Sequence, residues 1–123
     1  MRHGVDGRKF GRNSSHRIAL FRALSNSLIE NEYIVTTAEK AKEVRRVVDR
    51  LISIAKRGDS SIAARRVLFS RTRSKGSVSK VCDNLSKRYL KRAGGYTRVL
   101  RLDARRVGDG AEMALVELVD RPL

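Results

Sequence analysis

The chain is 123 residues long and carries 28 Lys and Arg against 13 Asp and Glu, a formal net charge of +15 with a sequence pI near 11.2. That length suits one domain, enough to bury roughly 60% or more of its unfolded surface, and the charge makes nucleic acid the first partner to consider. No run approaches the roughly 18 apolar residues of a spanning helix and the start lacks the order of a secretory signal, so a cytoplasmic protein without a membrane partner is expected.

The core is expected to be aliphatic, since there is no Trp and only three Phe and three Tyr. One cysteine, Cys82, cannot close an internal disulfide and agrees with a reducing compartment. The positive excess is uneven: +4 over residues 1–17, 38–57 and 58–75 and +5 over 76–98, but −1 over 18–33 and over 99–123. The two near-neutral stretches are therefore expected to pack against protein.

Residues 1–17 hold Arg2, Arg8, Lys9, Arg12 and Arg17 against Asp6, with Val5 and Phe10 as their large apolar side chains. So little apolar surface does not offset the entropy of ordering a backbone, and residues 1–13 are expected to be a basic arm, disordered without RNA. Residues 14–123 are expected to form a single α+β domain. Asn13, Ser14 and Ser15 offer caps to a helix over about 15–31 with a stripe of Ile18, Phe21, Leu24 and Leu28. Tyr33 to Thr37 is short and β-branched, a strand. Thr36 and Glu39 have capping-box spacing ahead of a second helix with a stripe of Ala41, Val44, Val48, Leu51 and Ala55, closed by Gly58 as a left-handed cap.

A third helix is expected to start at Asp59, Ser60 or Ser61 and to run through Val67, Leu68 and Phe69, followed by a basic loop from Arg71 to Gly76. Ser77 then caps a fourth helix carrying Val78, Val81 and Leu85, extended by Tyr89 and Leu90 and stopped by Gly94-Gly95. Beyond Tyr96 the period becomes alternating: Leu100 and Leu102 share one strand face, Ala114, Val116 and Leu118 another, with a turn at Gly108-Asp109-Gly110. The expected architecture is four helices packed on one face of a small three-stranded mixed sheet, the strand at 33–37 adding to the hairpin.

Catalysis finds no support in the residue pattern. The histidines, His3 and His16, both fall in or beside the arm, no phosphate-binding glycine motif occurs, and His3, His16 and Cys82 have no metal-site spacing. A non-enzyme is expected, with no cofactor, metal or small-molecule substrate. Asp103, Asp109, Glu112, Glu117 and Asp120 suit a turn and strand ends, where they can pair with Arg101 or Arg121.

Basic residues form three groups: the arm; Arg71, Arg73 and Lys75 in the loop from Arg71 to Gly76; and Lys87-Arg88 with Lys91-Arg92 leading into Gly94, Gly95, Tyr96 and Arg98. In the last group the glycines permit close backbone approach, and Tyr96 is either a stacking face or the buried start of a strand. Lys42, Arg46 and Arg50, spaced by four, either track a phosphate backbone or form a solvated face tempered by Glu39, Glu43 and Asp49. RNA is favoured over DNA, since no DNA-reading motif is present and charge spread over several faces suits burial in folded RNA. A free regulatory nucleic-acid-binding protein is the alternative.

RNSSHR at 12–17, TTxxKAKExRRVV at 36–48, RAGGYTR at 92–98 and GDxAxMAxxELVD at 108–120 together resemble the L seventeen family of bacterial large-subunit ribosomal proteins. The resemblance implies a structural component of the large subunit, bound to its ribosomal RNA and to neighbouring ribosomal proteins near the rim of the exit tunnel. It further implies that Arg2, His3, Arg8, Lys9, Arg12, Asn13, Ser14, Ser15, His16 and Arg17 are an RNA-inserted extension. Arg92, Gly94, Gly95, Tyr96 and Arg98 would be a second RNA-facing site. The chain departs from the family pattern at Gly4, Val5 and Asp6, where basic residues are usual, and at Glu112, where proline is common. Met113, Leu115 and Val119 make the second sheet face more apolar than a solvated one needs, covered either by a neighbouring protein or by the chain's own segments.

Overall fold

A computed structural model describes residues 10–122; Arg2, His3, Arg8, Lys9 and most of the expected arm lie outside the described residues. Helix α1 (Ser14–Asn31) starts where Asn13, extended at φ −73° and ψ 171°, accepts the His16 N–H on its side-chain oxygen at 2.9 Å. Its packed face is Phe21, Leu24, Ser25, Leu28 and Ile29, while Ile18, the first residue of the expected stripe, is 58% exposed. Glu32 takes the left-handed conformation, φ 66°, and turns the chain straight into β1 (Tyr33–Thr37).

Helix α2 (Ala38–Arg57) buries its whole expected stripe, Ala41, Val44, Val48, Leu51 and Ala55, at the centre of the core. Its ends differ from expectation. Thr36 is held in the strand ladder opposite Ala114, so Thr37 occupies the cap position and makes no side-chain cap bond. Gly58 has an ordinary φ of −82°, and Asp59 and Ser60 supply the left-handed turn instead. Glycine is needed there for space, because a Cβ on Gly58 would lie 2.6 Å from the Ala64 Cβ.

Helix α3 (Ile62–Thr72) is capped by Ser61, whose Oγ accepts the Ala64 N–H at 3.2 Å. It runs further than the sequence suggests, so the expected loop from Arg71 to Gly76 shrinks to Arg73 and Ser74, with Arg73 left-handed at φ 53°. Ser74, in place of Ser77, caps the next helix; Ser77 is buried and its hydroxyl donates to Asn26 Oδ1 at 2.9 Å. That helix is a continuous right-handed rod of α4 (Lys75–Lys80), a π-helical turn (Val81–Leu85) and α5 (Ser86–Arg88). The wide turn follows from what occupies one carbonyl. The Cys82 carbonyl is taken by the hydroxyls of Ser60 and Ser86, at 3.0 and 2.6 Å, and the Ser86 N–H reaches back to Val81 instead. The rod ends at Arg88, ahead of the glycines, and Leu90 stays exposed while Tyr89 is buried.

Strands β2 (Thr97–Arg105) and β3 (Glu112–Leu118) form the hairpin, and the sheet order is β1-β3-β2 with every pairing antiparallel. The expected mixed sheet is therefore corrected. The helical crossover does return β2 in the same direction as β1, but β3 inserts between them, so no parallel pair forms. Ala114, Val116 and Leu118 face the helices as expected. Leu100 does not: Val99 stands opposite Val116, which places Leu100 with Leu115 on the outer face, where it is 43% exposed. Val35 pairs with Leu115 from the other side, so Val35, Leu115 and Leu100 form one outer row.

Candidate nucleic-acid interface

The positive residues divide by layer. On the sheet and hairpin they are paired within the chain. Arg98 gives two nitrogens to Glu117 Oε1, at 2.7 and 3.0 Å, and Arg121 reaches Glu117 Oε2 at 2.9 Å. Arg101 and Arg105 share Glu112, and Arg106 pairs with Asp109. Hydrogen bonds from Arg121 and then Arg98 hold the Glu117 carboxyl below its ordinary value. Asp109 is held well below the usual carboxylate range by Arg106 and the Ala111 N–H. Each of these five arginines thus has an acidic partner, with Glu117 and Glu112 serving two apiece.

On the helical layer the balance is different. Arg50 and Arg57 on α2, Arg66 and Arg71 on α3, and Lys75, Lys87 and Lys91 along and after the rod make no ion pair among the described residues. One acidic group works there structurally. Burial raises the Glu32 carboxyl, but Arg88, which bonds it directly, and Lys80 at 3.6 Å outweigh that and lower its pKa overall. This cluster ties the end of α1 to the rod.

The expected site residues fall into two places. Ser14 and Arg17 at the start of α1 and Arg71 at the end of α3 line one cleft of about 620 Å³ between α1, α2 and α3. The base of the arm and the expected basic loop are thus brought together. Arg17 donates to the Ser14 hydroxyl at 3.2 Å, Arg12 donates to the Phe10 carbonyl at 2.7 Å, and Ser15 and His16 are exposed beside them. Arg73 leaves the cleft and stacks near Phe69, 5.9 Å from its ring centre, with Lys75 lining a neighbouring hollow beside Arg65 and Arg66.

The 92–98 segment lies apart, against the C-terminal end of α2. Lys56 donates to the Arg92 carbonyl and, at 2.9 Å, to the Tyr96 hydroxyl. Tyr96 is 2% exposed and packs on Tyr89 with ring centres 5.2 Å apart, so of its two readings the buried one describes this structure. Gly94 and Gly95 are exposed, Gly95 at φ 64°. Two arginines of the cleft stand outside the expected groups. Arg22, which donates to the Arg71 carbonyl at 3.0 Å, is the sole base in a near-neutral stretch of sequence; Arg50 showed only through its spacing from Arg46.

No helix among the described residues is long and apolar enough to cross a membrane. Residues 20–119 match the family model for Ribosomal protein L17, a match that takes in every strand and all but the first residues of α1. That family is structural rather than enzymatic, and its members bind ribosomal RNA as part of the translating ribonucleoprotein. With well over half of its length matched, this chain belongs to the ribosomal protein L17 family of the large ribosomal subunit.

Proposed function

We propose that this protein grips large-subunit ribosomal RNA with its helical layer and its first 17 residues, in the cytoplasmic ribosome near the exit-tunnel rim. The observation that carries this reading is the division of charge: seven arginines and lysines along the helical layer have no ion-pair partner among the described residues, whereas the arginines of the sheet and hairpin are each paired. Unpaired guanidinium groups keep their fork free for phosphate. The exit-tunnel position rests on the resemblance of the four motifs.

In this reading Arg2, His3, Arg8, Lys9, Arg12, Asn13, Ser14, Ser15, His16 and Arg17 enter the RNA, with Arg71, Arg73 and Lys75 continuing the contact. Arg92, Gly94 and Gly95 offer a second, exposed contact, which Tyr96 anchors from the core and Arg98 from its pair with Glu117. The outer sheet face meets a neighbouring ribosomal protein. It presents Tyr33, Val35, Leu100 and Leu102, and its Arg98 and Arg121 guanidinium groups are already engaged by Glu117, which suits protein better than phosphate.

The test is salt-dependent binding of the purified chain to transcribed large-subunit RNA. With six to ten phosphates neutralised, affinity falls by roughly 10³ to 10⁵ between 50 and 200 mM salt, by analogy with duplex DNA. Arg66→Gln and Lys87→Gln each lower the slope of log affinity against log salt by about one, whereas Arg105→Gln leaves it unchanged. Equal slope changes from helix and sheet variants would refute the division of labour.

A further inference from the structure

The cleft between α1, α2 and α3 holds more than phosphate chemistry. Arg17, Arg22, Arg50 and Arg71 rim it, and its floor is apolar, made by Phe21, Val47 and Leu51 with Ile18 at the lip. The Phe21 ring also packs on Phe10, ring centres 5.4 Å apart, which leaves Val47, Leu51 and Ile18 as apolar lining that a site for phosphate alone would not use. At about 620 Å³ the cleft is within the size range of small-molecule pockets.

The second observation is Ser25. It lines the cleft, is 1% exposed, and its hydroxyl is the one buried side-chain polar atom among the described residues with no hydrogen-bond partner. Buried polar groups are nearly always satisfied, and an unmet one marks a place where something else bonds. Glu43 is the single acid among the lining residues and already bonds Arg46 at 3.4 Å, so the rim stays positive overall.

We infer that the cleft receives one unstacked nucleotide of RNA. Its base lies on the Phe21, Val47 and Leu51 floor, a base-edge or ribose group meets the Ser25 hydroxyl, and the flanking phosphate sits among the arginines. Extruded bases stacked on apolar or aromatic surface are the usual means of holding single-stranded RNA. The inference deepens the RNA-binding reading and rests on it.

The experiment is methyl and amide NMR of the full free chain, titrated separately with the four nucleoside 5′-monophosphates, the four nucleosides and inorganic phosphate. The expected result is a saturable response from monophosphates centred on Ile18, Phe21, Val47 and Leu51, tighter than with nucleoside or phosphate. Ser25→Ala weakens it about fivefold, the worth of one hydrogen bond, while the thermal midpoint stays or rises because no partner is lost. Arg50→Gln weakens it also. An equal response to phosphate alone, silence at those residues, or unchanged affinity in Ser25→Ala would overturn the assignment. Binding of large-subunit RNA by the Ser25→Ala protein is measured alongside: if it persists when the cleft test fails, the cleft assignment is wrong and the RNA-binding reading stands.

Discussion

Replacing Gly58 by alanine is a small perturbation whose sign depends on the packing between α2 and α3. Backbone angles of φ −82° and ψ 1° suit alanine as well as glycine. If conformation were all that mattered, Gly58→Ala would stabilise by about 0.4–1 kcal/mol by restricting the unfolded chain. Space decides otherwise. The new Cβ would lie 2.6 Å from the Ala64 Cβ and 3.4 Å from the Ile54 carbonyl oxygen. Packed carbons sit about 3.5–4 Å apart, so α3 must move by roughly 1 Å. Overpacking of that kind costs about 1–3 kcal/mol, leaving a net loss of about 1–2 kcal/mol and a thermal midpoint lowered by about 4–8 °C for a chain of this size.

Circular-dichroism melting of the free protein reads this directly, and a second substitution separates the cause. Ala64→Gly removes the opposing methyl at a helix-propensity cost of about 1 kcal/mol. The double variant should then be more stable than the two single losses added together. A raised midpoint in Gly58→Ala, or strict additivity in the double variant, would refute the reasoning. The functional stake is that α3 carries Arg66 and Arg71, whose placement follows from this contact.

Two further outcomes follow from the ion pairs and the sheet. Glu32 has a folded pKa below its ordinary value of 4.5, so its contribution is present above about pH 4.5 and is lost as pH falls through the lower folded value. Glu32→Gln should therefore cost about 1–2 kcal/mol in urea unfolding at pH 7, since the pair with Arg88 is mostly covered, and the gap to the parent should shrink steadily as pH is lowered below 4.5; a gap that stays constant would contradict the pairing. Leu100→Glu, on the outer sheet face, should leave free-protein stability within about 0.5 kcal/mol and its RNA salt slope unchanged, yet reduce retention on assembled subunits. Full retention would remove the neighbouring protein from that face.

What was readable in the sequence, and what was not, follows the range of the forces involved. The α2 stripe and the Asn13 cap were legible because each depends on neighbours within a turn or two. The π-helical turn was not, since its cause is the Ser60 hydroxyl arriving from a different segment to occupy the Cys82 carbonyl. For Leu100 and Leu102 alternation names a shared strand face without saying whether it is inner or outer; the pairing of Val99 with Val116 makes that of Leu100 the outer one. The cleft was illegible for a similar reason. Arg22, Arg50 and Arg71 are far apart in the chain, and only the meeting of three helices sets them around Ser25.

The central claim is that this chain works as an assembled RNA-binding part of the large subunit. Sedimentation of a cell lysate on a sucrose gradient, after a moderate salt wash, measures it most directly. The account predicts that the protein travels with the large subunits and leaves them only as salt is raised further. Protein found in the light fractions, with none on large subunits after that wash, would contradict it.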